Sequence, residues 1–282
     1  LGIEFDEANL KAGPDSAFAR VRNKIDKTYQ FGQKPVTTID LVQGDMTDPI
    51  RLPENKAFNA NYSSEPVFNN ILQNALRTTG KFGIISCQFA LHYALSQEDK
   101  IRNFFHNVSQ NLANKGYFIA TAFDGSKIIN ALKLSKDFTD TNLPIISGYD
   151  ENKTLVWQIK AARPVKQLED FGQKIRVLNT TIKETEETEY LVNFDYITKI
   201  AEEFKLFPSH LWLNKTTLPF KGTYGSGDFS ELYSDEFVKL IKDSNIYSDF
   251  LLKTLKTSIE SSKDHEKTFS QFNRFLILQK NQ

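Results

Sequence analysis

Several short clusters in this sequence carry side chains able to hold a polar ligand. Glu4 lies in the apolar stretch of residues 1–5 (LGIEF). Asp45 and Met46 follow the run of residues 36–42 (VTTIDLV) in a Gly44-Asp45-Met46 turn. Gln88 sits at the end of the run Phe82 to Phe89, and the Phe123-Asp124 pair ends another. A carboxylate at a second strand's end can accept from both hydroxyls of a ribose diol. An Asp in such a turn can accept from an adenine exocyclic amine, with Met46 against the ring. Each residue also has an ordinary reading, since a strand-end Asp is commonly a helix cap. Their order along the chain nevertheless points to a site for an adenosine-containing molecule. A further cluster, Ser86 to Tyr93 (SCQFALHY), puts His92 and Tyr93 just beyond a buried run. Taken alone, that pair reads as packing with one satisfied hydrogen bond. Glu189 lies in an acidic run with Glu184, Glu186 and Glu187, which alone reads as a solvated helix start.

The elements that must position these residues alternate in type. Strands are expected at residues 1–5, 36–42, 82–89 and 117–122, the third covered on both faces because it is almost continuously apolar. Helices are expected at Ala17 to Tyr29 and Pro66 to Arg77. A third follows Ser96 as N-cap, with Ile101, Phe104, Phe105, Val108 and Leu112 on one side, and a fourth spans Lys127 to Leu134. Strand–helix alternation is the signature of a parallel sheet, whose ligands bind beyond the carboxyl ends of its strands. From about residue 140 the pattern changes. Thr154–Lys160 and Lys174–Ile182 suit antiparallel strands, so residues 143–188 read as an antiparallel flap inserted in a single domain, 1–282. Helical spacing returns from Glu189 to Leu206 through Leu191, Phe194, Ile197, Ile200 and Phe204. A strand at His210–Leu213, helices around Asp235–Lys242 and Ser248–Ile259, and a last strand at Phe269–Leu278 complete the reading.

Composition excludes several classes. Lys plus Arg and Asp plus Glu tie at 35 each, so there is no cationic surplus for indiscriminate nucleic-acid binding, although a local patch remains open. The stretch 11–34 is the best such patch, with Lys11, Arg20, Arg22, Lys24, Lys27 and Lys34 against Asp15 and Asp26; a solvated helix face explains it equally well. The single cysteine, Cys87, excludes an internal disulfide framework and a multi-cysteine zinc site, and no metal is expected. No apolar run approaches the roughly 18 residues of a membrane span. No signal peptide is read at the opening Leu-Gly-Ile-Glu. The first residue is not methionine, which reads as a piece of something longer.

The string CQFALHYAL (87–95), followed about twenty residues on by LANKGYFIATAFDGSKI (112–128), resembles the mRNA cap guanine-N7 methyltransferase family, in the manner of the capping enzymes of large DNA viruses. The family pattern is Cys-Gln-Phe-x-x-His-Tyr, a helix, then Gly-Gly-x-Phe-Ile-x-Thr. Thr188 to Val192 (TEYLV) resembles its Pro-Glu-Tyr/Phe-Leu-Val segment. The resemblance covers most of the chain and is specific around CQFxxHY. It implies an α/β class I S-adenosylmethionine-dependent methyltransferase, Rossmann-like, with a mixed seven-stranded sheet and an antiparallel insertion. Glu4 would hold the ribose of S-adenosylmethionine, Asp45 and Met46 its adenine, and Gln88 would lie beside its methionine part. Phe89, His92 and Tyr93 would face the cap guanine. Glu189 would bind that base's Watson–Crick edge, and a carboxylate, being an acceptor only, matches guanine N1–H and its N2 amine.

Two departures stand out. The family's strand and glycine-rich motif, Asp-x-Gly-Cys-Gly-x-Gly, is expected immediately upstream of residue 1, leaving this chain the cap half of the site and part of the cofactor half. Asn273 stands where the family usually has a tyrosine against the cap. The implied reaction, methyl transfer to guanine N7, needs no general base because N7 carries a free lone pair and no proton, so no acid–base pair is nominated. The capped 5′ end of RNA is the implied partner, together with triphosphatase or guanylyltransferase domains of the same polypeptide, or a stimulating subunit, and no membrane. The implied setting is intracellular: the nucleus, or a cytoplasmic viral factory or virion. Two rivals stay open, a class I methyltransferase for a small molecule and a non-catalytic methyltransferase fold that binds RNA or a partner.

Overall fold

The computed structural model describes residues 2–4, 19, 41–43, 45–48, 81–182, 184–209, 225–230, 253, 257–258 and 261–281. The helices expected at 17–29 (Ala19 apart), 66–77, 235–242 and most of 248–259, and the strand at 210–213, lie outside them, as does the basic stretch 11–34 apart from Ala19.

Two short strands, β1 (Gly2–Glu4) and β2 (Leu41–Gln43), pair in parallel with Glu4 opposite Gln43. The central sheet is built on β3 (Phe82–Gln88) and the parallel β4 (Leu112–Phe123). β4 alternates cleanly, Phe118, Ala120 and Ala122 facing the core. On its other side runs the antiparallel β12 (Asn273–Lys280), which in turn pairs with β10 (Leu206–Pro208) and β11 (Ser226–Asp228). β3 differs from the two-faced expectation. Cys87 is buried and Ile85 half-buried, but Ile84 is 63% exposed, and among the described residues nothing covers the face it shares with Ser86 and Gln88.

Helix α1 (Glu98–Asn111) follows β3 through a 3-10 turn, Leu91–Ser96, and buries Ile101, Phe104, Phe105 and Val108 at helical spacing. Glu98 and Asp99 complement its first turn. Ser96 is not its N-cap; Gln97 holds that position without a side-chain bond, and the buried Ser96 hydroxyl has no partner. α2 (Gly125–Leu134) starts two residues earlier than its apolar spacing indicated, because Asp124 caps it by accepting from the Ser126 and Lys127 amides.

From Asp137 to Tyr190 five antiparallel strands form a second sheet in chain order: β5 (Asp137–Phe138), β6 (Pro144–Tyr149), β7 (Leu155–Ala161), β8 (Lys174–Asn179) and β9 (Glu187–Tyr190). Its pairing starts before residue 143 and runs past 188. One face, with Trp157, Ile159, Ala161, Ile175 and Val177, packs against Ile128, Ile129 and Leu132 of α2 and against Phe269 and Phe272. The second core lies between the central sheet, α1 and helix α3 (Phe194–Glu203).

Two expected boundaries move. Glu189 is in β9, not at a helix start. α3 begins at Phe194, where the Asn193 side chain accepts from the Tyr196 amide, while Glu187 to Tyr190 pair with β8. Phe269 belongs to helix α4 (Asp264–Gln271), and the last strand starts at Asn273. No helix among the described residues is long and apolar enough to cross a membrane.

Candidate functional site

Parallel pairing of β1 with β2 brings Glu4 and the Asp45 turn to the same ends of adjacent strands. The turn is held tightly. Asp45 Oδ1 accepts from the Thr47 amide at 2.8 Å and the Thr47 hydroxyl at 2.7 Å. Asn107 of α1 donates to the carbonyls of Met46 at 3.0 Å and Asp48 at 2.6 Å. Met46 is half-buried against the core. Asp45, just beyond the end of β2 with a thioether beside it, is an acceptor of the kind an adenine amine needs.

At the carboxyl end of β3, Gln88 is fixed from both sides of its amide. Its Nε2 donates to Ser86 Oγ at 2.9 Å and its Oε1 accepts from Thr121 at 2.9 Å. Phe89 then turns the chain with φ of 53°. A left-handed backbone is uncommon for a bulky residue, and here its amide donates to the Thr121 carbonyl at 2.9 Å. The Phe89 ring is thrown outward, 55% exposed, edge-on to Phe229 at 6.3 Å. Three residues later the 3-10 turn separates His92 from Tyr93: His92 is buried, whereas Tyr93 is 54% exposed, their ring centroids 4.0 Å apart.

Glu189 reaches this place from a different sheet. In the register of β8 with β9 it lies opposite buried Ile175, so its carboxyl turns to the inner face and comes within 3.5 Å of His92 Nδ1. That separation is longer than a good hydrogen bond, and burial drives both groups toward neutrality. It lowers His92 to about 4. Burial, with help from the Glu187 charge, pushes Glu189 up to about 7. His92 Nε2 is buried with no hydrogen-bond partner. An unfilled buried polar atom costs about 1–3 kcal/mol, which a ligand group can recover.

Thus Gln88, Phe89, His92, Tyr93 and Glu189 meet at one end of β3. Asn273 is buried opposite Phe123, and its amide donates to the Ser270 carbonyl at 3.1 Å, closing the end of α4. Residue spacing did not find Thr121 or Asn107, because a threonine in a strand and an asparagine in a helix acquire these roles only through long-range contacts. Asp124 was found as a strand-end acid and serves as the α2 cap, also accepting from Arg274 Nε at 2.7 Å. No group of three or more metal-ligating side chains occurs among the described residues.

In open α/β sheets ligands bind beyond the carboxyl ends of parallel strands, which is where Asp45 and Gln88 stand. Residues 46–222 match the mRNA (guanine-N(7))-methyltransferase domain. The chain belongs to that family, and its fold is the class I methyltransferase fold. It is similar to a probable mRNA-capping enzyme of Acanthamoeba polyphaga mimivirus, 29% identical over 223 residues, covering 76% of this chain and 18% of that protein. It is also similar to mRNA cap guanine-N(7) methyltransferase 1 of Oryza sativa subsp. japonica, 44% identical over 62 residues, covering 22% of this chain and 17% of the relative. The matched segments therefore span under a fifth of the length of either relative. Superposition on the CcbJ methyltransferase of Streptomyces caelestis covers 100% of this chain and 74% of that one at 10% identity, with a TM-score of 0.39.

Proposed function

We propose that this chain methylates N7 of the guanine cap at the 5′ end of mRNA, with S-adenosylmethionine as donor. The observation that carries this reading is the convergence of Glu189, His92, Phe89 and Tyr93, from two sheets and a 3-10 turn, at the end of the strand whose last residue is Gln88. An acceptor-only carboxylate beside exposed rings suits a purine that presents an N1–H and an amine. Glu4, Asp45, Met46 and Gln88 would hold the donor, which supplies an electrophilic methyl group when bound.

The residues need move no proton. Glu189, in its ionised form, accepts from the base and fixes the guanine edge. His92 positions that carboxyl and offers Nε2 to the ligand. Phe89 and Tyr93 contact the purine face and favour it more once N7 methylation makes it cationic. Rate then comes from holding N7 in line with the methyl group, where a misplacement of about 1 Å can cost about a hundredfold. The reaction belongs where nascent mRNA is capped, in a nucleus or a viral factory. Capping activities encoded by the same polypeptide, or a stimulating subunit, would act before it or with it.

The test uses the chain, methyl-labelled S-adenosylmethionine and RNA capped with unmethylated guanosine, followed by nuclease digestion. Label in 7-methylguanosine supports the reading. Label in an added small molecule but not in the cap would overturn it, as would cap binding without methylation when donor binding is measured to be intact.

A further inference from the structure

We propose that the outer face of the antiparallel sheet, carrying Lys160, Lys174 and Arg176 beside Thr188 and Tyr190, binds the single-stranded RNA that follows the cap. This rests on the cap reading above and extends it to a surface at which the preceding site ends.

The register assigns the face. Ile159, Ile175 and Val177 are buried inward, so the intervening Lys160, Lys174 and Arg176 turn outward, and Lys174 and Arg176 are exposed. Lys160 lies directly opposite Arg176, which lies opposite Thr188. Like charges facing each other across neighbouring strands are unfavourable, and only one carboxylate among the described residues, Glu186, pairs with this row, at Lys160. Lys174, two residues from Arg176 on the same face and so about 7 Å along the strand, sits opposite Tyr190 with its ammonium 5.8 Å from that ring's centroid, which retains the charge on this face. A chain of regularly spaced phosphates relieves that repulsion.

Continuity favours RNA over another polyanion. In β9, Glu189 points inward to His92 while Thr188 is exposed on the opposite face and Tyr190, half-buried, packs against the core beneath the central sheet, and β9 is the last strand of its sheet. A strand leaving the guanine pocket meets the basic row by crossing that single edge.

The experiment compares the full 282-residue chain with its Lys174→Glu/Arg176→Glu form. Affinities are measured for a capped RNA of about 15 nucleotides, the same RNA uncapped, and the cap dinucleotide, between about 50 and 200 mM salt. Both RNAs should weaken at least tenfold for the variant, and the slope of log affinity against log salt should become shallower by about 1.4, two contacts at about 0.7 each. The dinucleotide should bind unchanged. Lys133→Glu/Lys199→Glu, two exposed lysines on α2 and α3, makes the same charge change elsewhere and should shift RNA binding far less. Unchanged RNA affinity, or an equal loss in that control, overturns the proposal. If the glutamates unsettle the sheet in a thermal melt, Lys174→Ala/Arg176→Ala gives the same comparison with a smaller expected loss. Failure of the cap reading looks different: the dinucleotide would not bind wild-type protein, while uncapped RNA would still report on this face.

Discussion

Glu189 shows how one side chain can be set against the stability of its own fold. Its carboxyl is raised from 4.5 to about 7, mainly by burial. A carboxyl whose folded value exceeds its unfolded one contributes stability below the unfolded value, and that contribution is lost as pH rises through the folded value. The window is therefore from about 4.5 to 7. Glu189→Gln should gain about 2–3 kcal/mol over wild type at pH 8 and nothing at pH 4, measured by denaturant unfolding. Guanine donors need the ionised form, so cap affinity should rise about tenfold per pH unit up to about 7 and then level off, while the glutamine variant stays flat and weaker by about 1.5–3 kcal/mol. Competition between guanosine- and inosine-capped RNA would separate edge recognition from general damage, since a glutamine variant with wild-type preference removes Glu189 from the pocket. Phe89 poses the same opposition through its backbone. Phe89→Gly removes a left-handed strain of roughly 1–2 kcal/mol and should weaken the cap by the 1–3 kcal/mol typical of a lost base–aromatic contact. Parallel melting and binding curves would test whether the two effects run in opposite directions.

At the scale of elements, the strands that interlock were readable and the places where one element yields to another were not. The periodicity of Leu191, Phe194, Ile197 and Ile200 is helical, yet it runs back without interruption over residues whose backbone bonds are taken by β8. Only Asn193, as a side chain that can cap, marks the change, and Asn193→Ala should cost about 1 kcal/mol by thermal unfolding. The pocket depends on that boundary, because a one-residue slip of β9 would turn Glu189 out to solvent. The CQFxxHY string made His92 and Tyr93 legible by resemblance. Their opposite exposures depend on a 3-10 turn that no apolar spacing announces. Gly148 is a packing requirement of the same sheet. A Cβ there would lie 2.1 Å from the Trp157 indole nitrogen, which donates to the His265 carbonyl at 2.8 Å. Gly148→Ala should therefore lose about 1–3 kcal/mol by overpacking, read in the same melt.

Across the whole molecule, two cores share β4 and its continuation. One packs beneath the central sheet, and the other fixes the antiparallel sheet to α2 and α4. Between them Asp124 joins the systems, capping α2, accepting from Arg274 of β12 and forming a bridge with Val192 after β9. The alternating sequence pattern conveyed the layers, but this junction joins residues far apart in the chain and leaves no local signature. Cys87, the sole thiol, is buried in β3 within the core beneath the central sheet, and burial raises it to about 12. At pH 8 it is therefore both shielded and protonated, and an alkylating reagent can reach it as a thiolate only when β3 separates from its neighbours. The rate of carboxymethylation at that one sulfur, compared with free cysteine, is then a clock for spontaneous opening of the strand that ends at Gln88. Saturating ligand at that strand end should slow the clock in proportion to its occupancy.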